Sequence, residues 1–190
     1  ALTVGTVNSV VVTRTGDTLI NTQTGNLTLA QSINVGTGNS LRLQSVAGKA
    51  DQTGGTITAG TLGVNAATSI NLASNNAVAT TFAAKATNGN LLFKNANGYD
   101  INTVAADGTQ FTLVDGVTAV AASTNITLEA GSGTVTQTSG KLVRTDTGGS
   151  GATGGLELKG GGAFTLTDAG NSVSTLAAGT GAGGLRYVNA

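Results

Sequence analysis

The chain has 190 residues, of which 39% are hydrophobic and only 9% are charged, and its nine basic and nine acidic side chains leave no net charge. It contains 30 glycines but no proline, cysteine, methionine, tryptophan or histidine. The balanced charge excludes the basic surface of a nucleic-acid-binding domain. The absence of cysteine and histidine excludes disulfides, thiol catalysis and Cys-ligated zinc, and removes the commonest general base and metal ligand.

In chain order, the apolar residues form short alternating triplets. They lie at 27–29, 33–35, 41–43, 62–64 and 70–72, and then at 126–128, 142–144, 156–158, 164–166 and 185–187. Alternation places successive side chains on opposite sides of a strand, so each triplet predicts a short β-strand with one inward face. The residues that we expect to point inward are Leu27, Leu29, Ile70, Leu72, Ile126, Leu128, Phe164 and Leu166.

No segment holds the spacing of an amphipathic helix over three turns. The Ala-rich run 78–85 is the one candidate, and its counterpart 173–179 is broken by glycine. We therefore interpret both runs as strand plus turn. The apolar runs are also too short to span a bilayer, so no membrane insertion is expected.

Turn signals separate the triplets. They are Asn88-Gly89, Asn97-Gly98, Asp107-Gly108, Asp115-Gly116 and the glycine-rich cluster 148–151. Asn-Gly and Asp-Gly pairs provide the positive φ that sharp corners use. The gaps between the triplets at 27–29, 33–35 and 41–43 are too short for a crossover helix. Three such strands make one turn of roughly 20 residues, within the range of known repeats.

The sequence therefore predicts an all-β fold, a parallel β-helix (β-solenoid) of about 8–10 coils with uncapped ends. The alternative is an antiparallel β-sandwich, which also tolerates short strands. A sandwich usually has proline-rich turns and several core aromatic residues. This chain has no proline, and only 3% of its residues are aromatic.

The second half of the chain repeats the first at a drifting offset. Residues 70–72 recur as 164–166, 94 positions later, and residues 52–55 recur as 137–140, 85 positions later. Residues 26–29 recur as 125–128, at an offset of 99. Such drift is expected when loops of different length lie outside a regularly stacked core. We interpret residues 1–190 as one solenoid segment made of two degenerate copies, approximately 1–98 and 99–190.

The end of the chain also reads on into its beginning. Residues 183–190 match residues 89–96, and the residues that follow the internal match resemble residues 1–7. This continuity is typical of a segment of a longer repeating array. We expect such segments to stack end to end, with copies of themselves or with the continuing chain, because an end coil exposes unpaired backbone.

Several blocks resemble the repeats of filamentous-haemagglutinin-like exoproteins, of the two-partner-secretion type. The blocks are residues 2–7, 25–30, 51–60 and 169–178. The resemblance covers essentially the whole chain, but it lies in composition and style and includes no invariant signature. It implies a right-handed parallel β-helix from the shaft of a large secreted bacterial adhesin. Neither the amino-terminal secretion domain of that family nor a carboxy-terminal toxin is recognisable.

Motifs associated with binding and catalysis have simpler interpretations here. Residues 149–154 fit G-x-G-x-x-G, but a strand pattern follows them where a dinucleotide site needs a helix. Asp107 and Asp115 are expected to serve turns, because the tandem nonapeptides of calcium-binding β-rolls are absent. Glu129 and Glu157 lie one in each half, and the sequence names no close acidic pair of the kind that a glycosidase needs.

Two further patterns involve threonine and asparagine. Residues 56–58 and 134–136 are Thr-x-Thr, the motif of ice-binding solenoids, but it is sporadic here and outward threonine in strands is the better explanation. Residues 26–28 and 125–127 are glycosylation-type sequons in equivalent places. In a chain so rich in asparagine and threonine, coincidence explains them.

The sequence thus predicts a non-enzymatic structural shaft segment of an extracellular bacterial adhesin or fibre, on the cell surface or secreted. It would mediate surface attachment or assembly between cells or with a matrix. We expect no catalytic, cofactor-binding or metal-binding residues and no nucleic-acid partner. A host-surface or glycan receptor is a possible partner. The alternatives are a carbohydrate-active β-helix enzyme and an ice-binding solenoid.

Overall fold

The chain folds into an all-β solenoid of about eight turns. The computed structural model describes residues 1–7, 12–146 and 151–190, and these contain no helix. Twenty strands are present among the described residues, and all but two of them belong to one continuous, mainly parallel stack. The predicted parallel β-solenoid is therefore confirmed, and the antiparallel sandwich is excluded. Each coil runs over three faces, which we number in the order that the chain visits them.

Face 1 contains one strand from each of eight coils. The strands are β1 (Leu2–Val4), β4 (Leu27–Leu29), β6 (Ala50–Gln52), the start of β8 (Ile70–Ala86), β9 (Leu91–Asn95), β14 (Ile126–Ala130), β17 (Gly155–Gly160) and β19 (Thr175–Thr180). Every neighbouring pair is parallel and in register, from Leu2 opposite Leu27 to Leu156 opposite Leu176. At a strand spacing of about 4.8 Å, eight strands make a stack about 34 Å long.

The long strands of coils 2–4 continue round the corner between faces 2 and 3. Face 2 contains β2 (Val12–Thr13), the first parts of β5 (Ile33–Ser45) and β7 (Ile57–Ala66), the middle of β8, the start of β15 (Thr134–Gln137), β18 (Ala163–Leu166) and β20 (Leu185–Tyr187). Face 3 contains β3 (Thr18–Thr22), the ends of β5, β7, β8 and β15, and the short strands β10 (Asp100–Ile101), β13 (Val117–Ala119) and β16 (Val143–Arg144). The remaining strands, β11 (Thr103–Val104) and β12 (Val114–Asp115), form an antiparallel pair outside the stack.

The core consists of ranks of inward side chains that repeat from coil to coil. All eight residues predicted to point inward are at most 1% exposed, which confirms the alternation argument. Three aromatic residues, one from each face, fill the middle of the core. Phe82 and Phe93 stack with ring centroids 3.8 Å apart, and the Tyr99 ring packs edge-on against both. Burying this apolar surface is the main term that favours the stack.

Buried amide side chains complete the hydrogen bonding at the corners. At the corner between faces 1 and 2, Asn76 accepts a hydrogen bond from the backbone N–H of Ile57 in the coil before it, at 2.8 Å. It donates to the backbone oxygen of Lys94 in the coil after it, at 3.1 Å. Asn76 and Gln52 also exchange two hydrogen bonds, at 2.9 and 3.1 Å. One side chain thereby connects three successive coils.

The same arrangement recurs at the corner between faces 2 and 3. Asn171 accepts from the backbone N–H of Val143 at 2.8 Å and donates to the backbone oxygen of Val188 at 3.2 Å. It exchanges hydrogen bonds with Gln137 at 2.6 and 3.1 Å. The two matched halves of the sequence therefore use the same pattern of corner hydrogen bonds.

The two matched halves are turned relative to each other about the stack axis. Residues 70–72 lie on face 1, whereas their counterparts 164–166 lie on face 2. The offset of 94 residues therefore advances the chain by three coils and one face. The offset of 99 between 26–29 and 125–128 returns it to face 1 after four coils. The drift in the sequence offsets thus includes a change of face.

The strands at the two ends of the described stack pair on one side only. Strand β1 pairs with β4 alone, and β19 pairs with β17 alone. Several large apolar side chains beside these edges are exposed by 38–40%, namely Leu2, Leu176, Leu185 and Val188. Comparable apolar positions in the middle of the stack are fully buried.

Two details of the sequence interpretation were wrong. The Ala-rich run 78–85 is not strand plus turn but lies wholly within β8, which turns its corner as a bulged, extended segment. The glycines of the Asp-Gly pairs, Gly108 and Gly116, have positive φ as expected, but Gly89 and Gly98 do not. Gly98 is required for space instead, since a Cβ there would lie 2.1 Å from the backbone oxygen of Thr134.

Replacing the corner amide should destabilise the fold. Asn76→Ala leaves the buried N–H of Ile57 and the amide of Gln52 without their partner. We expect the free energy of unfolding to fall by about 2–4 kcal/mol. Asn75→Ala is the matched control, because Asn75 is the exposed neighbour and should change stability by less than about 0.5 kcal/mol. Urea denaturation followed by circular dichroism measures both, and equal losses would contradict the proposed role of the amide.

Removing one buried hydroxyl should have the opposite effect. Tyr99 is buried, its hydroxyl has no hydrogen-bond partner within the described residues, and burial raises its pKa above the ordinary value. We expect Tyr99→Phe to increase the free energy of unfolding by about 1 kcal/mol, because the cost of burying an unpaired hydroxyl disappears. Tyr187→Phe is the control, since the Tyr187 hydroxyl donates to Asn189 at 2.8 Å. A lower thermal midpoint for Tyr99→Phe than for the parent would contradict this prediction.

Candidate functional site

The largest departure from the solenoid is a long insertion on face 3, residues 102–116, which we call the flap. The flap leaves the stack after Ile101 and returns at Val117. These two residues pair with Phe82 and Ala84 of the preceding coil, which are separated by the single residue Ala83. At the same position, the next coil has an insertion of five residues, 138–142. The flap forms the antiparallel pair β11–β12, and its tip is a turn in which the Gln110 N–H donates to the Asp107 oxygen at 3.2 Å.

The flap runs back along the outside of face 3, over the four coils before its own. Its apolar residues Val104, Phe111 and Val114 form a second, small core with Ala83, against which Leu19 packs. Its backbone is held by side chains of the floor. Arg42 donates to the Ala105 oxygen at 3.0 Å, and Asn21 donates to the Gln110 oxygen at 3.2 Å. The flap is therefore docked on face 3 by both apolar packing and hydrogen bonds.

A groove of about 370 Å³ lies where the flap meets face 3. Its floor is an outward column from three neighbouring coils, in which Lys85 and Arg144 flank Thr118 in strand register. The returning strand of the flap, with Leu113 and Asp115, forms one wall. The remaining sides are formed by Val120, Asp146 and the 138–142 insertion, through Gly140 and Leu142.

Both carboxylates of the groove are already engaged. The Asp115 carboxylate accepts from the Thr103 hydroxyl and lies 3.0 Å from the Lys141 ammonium. Burial raises the pKa of Asp115, but these hydrogen bonds and the charge of Lys141 outweigh that effect, so its pKa lies below the ordinary value. Asp146 accepts from the Arg144 Nε at 3.0 Å and from the Ser172 hydroxyl at 2.7 Å. Each carboxylate thus already accepts hydrogen bonds from the protein and lies beside a cation.

Lys85 differs from these groups because its side chain is exposed and forms no ion pair within the described residues. Six of the other cations do form one, with Asp17, Asp51, Glu129, Asp115, Asp146 and Glu157. The groove is lined by two cations, Lys85 and Arg144, and by two carboxylates, Asp115 and Asp146. Asp146 pairs with Arg144, and Asp115 pairs with Lys141 beside the groove, so Lys85 is the lining cation without an ion pair in the described part of the chain.

The structure places the predicted Asp-Gly turns at the tip and the return of the flap, at Asp107 and Asp115. Only Asp115 lines the groove. Residues 149 and 150 of the G-x-G-x-x-G motif, and most of the 148–151 cluster, lie outside the described residues. Strand β17 follows that motif directly, as the sequence indicated.

Glu129 and Glu157, which the sequence did not bring together, lie on neighbouring strands of face 1. Glu129 pairs with Lys94 at 2.7 Å, and Glu157 lies 3.5 Å from Lys159 and accepts from the Thr127 hydroxyl. They form an outward ladder of alternating charge across the coils, which favours strand register. No residue of this ladder lines the flap groove.

The Thr-x-Thr motifs do not assemble into a rank. Thr58 lies between Asn34 and Ala77 on face 2, and Thr134 lies beside Ala163. The sequon residues Asn26 and Asn125 are structurally equivalent, as expected. Each precedes a face 1 strand and accepts a backbone N–H from the next coil, at 3.2 and 2.8 Å respectively.

Among residues 1–7, 12–146 and 151–190, no group of three or more Asp or Glu residues is arranged to hold a metal ion. No helix in this part of the chain is long and apolar enough to cross a membrane.

Comparison of the chain with family models, curated proteins and solved structures finds no match. The fold and the groove must therefore be interpreted from their own geometry.

The groove was not found by sequence reasoning, because its parts are far apart in the chain and belong to no motif. Lys85 lies in a strand that was interpreted as strand plus turn, and Arg144 was noted only as part of an alternating triplet. The extra length between Ile101 and Val117 was the available signal, and it appeared in the sequence only as drift of the repeat offset.

The flap should loosen when its floor is raised by one methyl group. A Cβ at Gly63 would lie 2.6 Å from Val104 Cγ1 and 2.9 Å from Phe111 Cζ. We expect Gly63→Ala to displace the flap and to accelerate proteolytic cleavage within residues 105–113 by roughly tenfold, corresponding to about 1.4 kcal/mol of lost docking energy. Gly38→Ala is the control, because nothing lies within 4 Å of a Cβ there. Unchanged cleavage in Gly63→Ala would show that the flap is not seated on this glycine.

Proposed function

We propose that this chain is a non-enzymatic, elongated shaft segment of an extracellular bacterial adhesin or fibre. The observation that carries the proposal is the uninterrupted parallel stack of eight face 1 strands with one continuous core. Such a stack extends in one direction, because each coil is added to the last at a constant rise. Its length then depends on the number of coils, as a spacer requires.

The use of the polar side chains also supports a structural role. The buried amides of Asn76, Asn95 and Asn171 and the half-buried amide of Gln137 form hydrogen bonds at the corners, and the Lys94–Glu129 pair joins neighbouring strands of face 1. Two groups that a glycosidase would use, Glu129 and Glu157, are ion-paired on an open face. The sequence resemblance to filamentous-haemagglutinin-like exoproteins supports the extracellular and adhesive part of the proposal.

We further propose that additional coils cover the one-sided edges of β1 and β19, supplied by a continuing chain or by another copy. The last strand, β20, lies on face 2, and β1 lies on face 1. A copy joined directly after residue 190 would therefore have to be turned by one face to place its β1 on face 3. The matched internal blocks 70–72 and 164–166 also occupy different faces, which supports the proposal that a turned copy can continue the stack.

A tandem protein tests the shaft role. Two or three copies are joined from residue 190 directly to residue 1 and measured by small-angle X-ray scattering and negative-stain electron microscopy. We expect rigid rods of constant cross-section that lengthen by about 38 Å per added copy, since eight coils each rise about 4.8 Å. The control is the same tandem with a flexible Gly/Ser linker at each junction.

Particles that resemble beads on a string in both tandems would overturn the shaft proposal.

A substitution at the stack end tests the junction. Val188→Lys should hinge the direct tandem, because it places a charge where the next coil would pack, whereas Val46→Lys should not. The two valines are 40% and 44% exposed, but only Val188 lies in the last coil of the stack.

A further inference from the structure

The groove beside the flap has the features of a small-molecule site. Its volume of about 370 Å³ lies within the range of roughly 300–1,000 Å³ that is usual for ligand pockets. It combines apolar walls, from Leu113, Val120 and Leu142, with a polar floor centred on Thr118. Ligand sites commonly have this combination, in which the walls provide contact area and a few polar groups set orientation.

The charge of the groove selects the ligand class. Lys85 forms no ion pair within the described residues, and the Arg144 side chain forms no hydrogen bond there beyond the one from Nε to Asp146. These two cations extend from strands on either side of Thr118, and the two strands are about 9–10 Å apart at a strand spacing of about 4.8 Å. The carboxylates beside them are held by Lys141, Arg144 and Ser172. An anionic group at this place would therefore meet the unpaired charge of Lys85 and the terminal nitrogens of Arg144, whose Nε already bonds to Asp146.

The walls argue against a bare inorganic anion. Such an ion would bind the cations but leave Leu113 and Leu142 without contact. A pyranose ring with one carboxylate fits both parts, because its C–H groups can pack on the leucines while its hydroxyls bond to Thr118 and to the backbone near Gly140. Planar bidentate recognition of carboxylate is the usual role of an arginine in this setting.

We propose that the groove binds a hexuronate, a sugar residue with a carboxylate, either as the free acid or as a unit of an acidic polysaccharide. Lys85 and the terminal nitrogens of Arg144 bind the carboxylate, Thr118 bonds a ring hydroxyl, and Leu113 and Leu142 pack on the ring. No bond is formed or broken. The inference goes beyond the shaft role and does not depend on it.

The test uses galacturonate as the probe and follows the amide signals of the whole chain by heteronuclear NMR. We expect saturable shifts at Lys85, Thr118 and Gly140, and binding at least roughly tenfold weaker for galactose and for galacturonate methyl ester, since both lack the charge. Acetate should also bind at least roughly tenfold more weakly, because it lacks the ring. Oligogalacturonate distinguishes the two sources: tighter binding than the monomer, per sugar, assigns the site to a polysaccharide chain.

Variants of matched charge locate the site. Lys85→Gln and Arg186→Gln each remove one cation that has no ion pair within the described residues, so both lower the net charge equally. We expect Lys85→Gln to weaken galacturonate binding roughly tenfold and Arg186→Gln to leave it unchanged. Lys85→Arg should retain most of the affinity. Thermal unfolding of each variant confirms that the fold is kept, as Lys85 is exposed.

Four results would each overturn the proposal: no saturable shifts with galacturonate, equal binding of its methyl ester, equal binding of acetate, or equal loss of affinity in Lys85→Gln and Arg186→Gln. None of these results bears on the rod lengths of the tandem proteins. The ligand proposal and the shaft proposal can therefore be contradicted independently of each other.

Discussion

The constraint on which this fold depends is the hydrogen bonding of the backbone at its corners. Along each face, the parallel ladder pairs every N–H and C=O with the coils above and below, but the ladder is interrupted wherever the chain turns. A buried amide can supply an acceptor and two donors at one point. The buried Asn76, Asn95 and Asn171, and the exposed Asn189, each accept a backbone N–H from the preceding coil at a corner. Each such hydrogen bond therefore joins a corner to the equivalent corner of the neighbouring coil, one strand spacing away.

This device explains why the sequence repeat and the structural repeat differ. Because face 1 can end in a buried asparagine, as at Asn76 and Asn95, and face 2 can do the same, as at Asn171, the recurring unit is one strand with its corner, not one coil. The number of positions between the last inward residue of a strand and the corner asparagine varies. The step is four positions from Leu72 to Asn76, two from Phe93 to Asn95 and five from Leu166 to Asn171. Such steps change the sequence offset without disturbing the stack, and they let matched blocks occupy different faces.

Most of the solenoid could be predicted from the sequence, because its core obeys a period of two that local residues reveal. Leu27, Ile126 and Phe164 were assigned inward on that basis, and they are buried. The flap could not be predicted in the same way. Val104, Phe111 and Val114 pack on the outer surface of face 3, which is open to them because Gly63 and Ala83 are small. No local pattern indicates which outward small residues will be covered. The groove exists only because the flap covers part of face 3, so sequence reasoning that missed the flap also missed the groove.

The flap also changes how the chain can fold. In a plain solenoid, contacts are nearly all between neighbouring coils, so folding can begin anywhere and unfolding can proceed from the ends coil by coil. Here the flap of the fifth coil bonds back to Asn21 of the first, across 89 residues of sequence. That contact forms only after the intervening coils have stacked, which delays it and raises the contact order. Once formed, it makes the first five coils respond as one cooperative block, so that fraying from the first coil also has to release the flap.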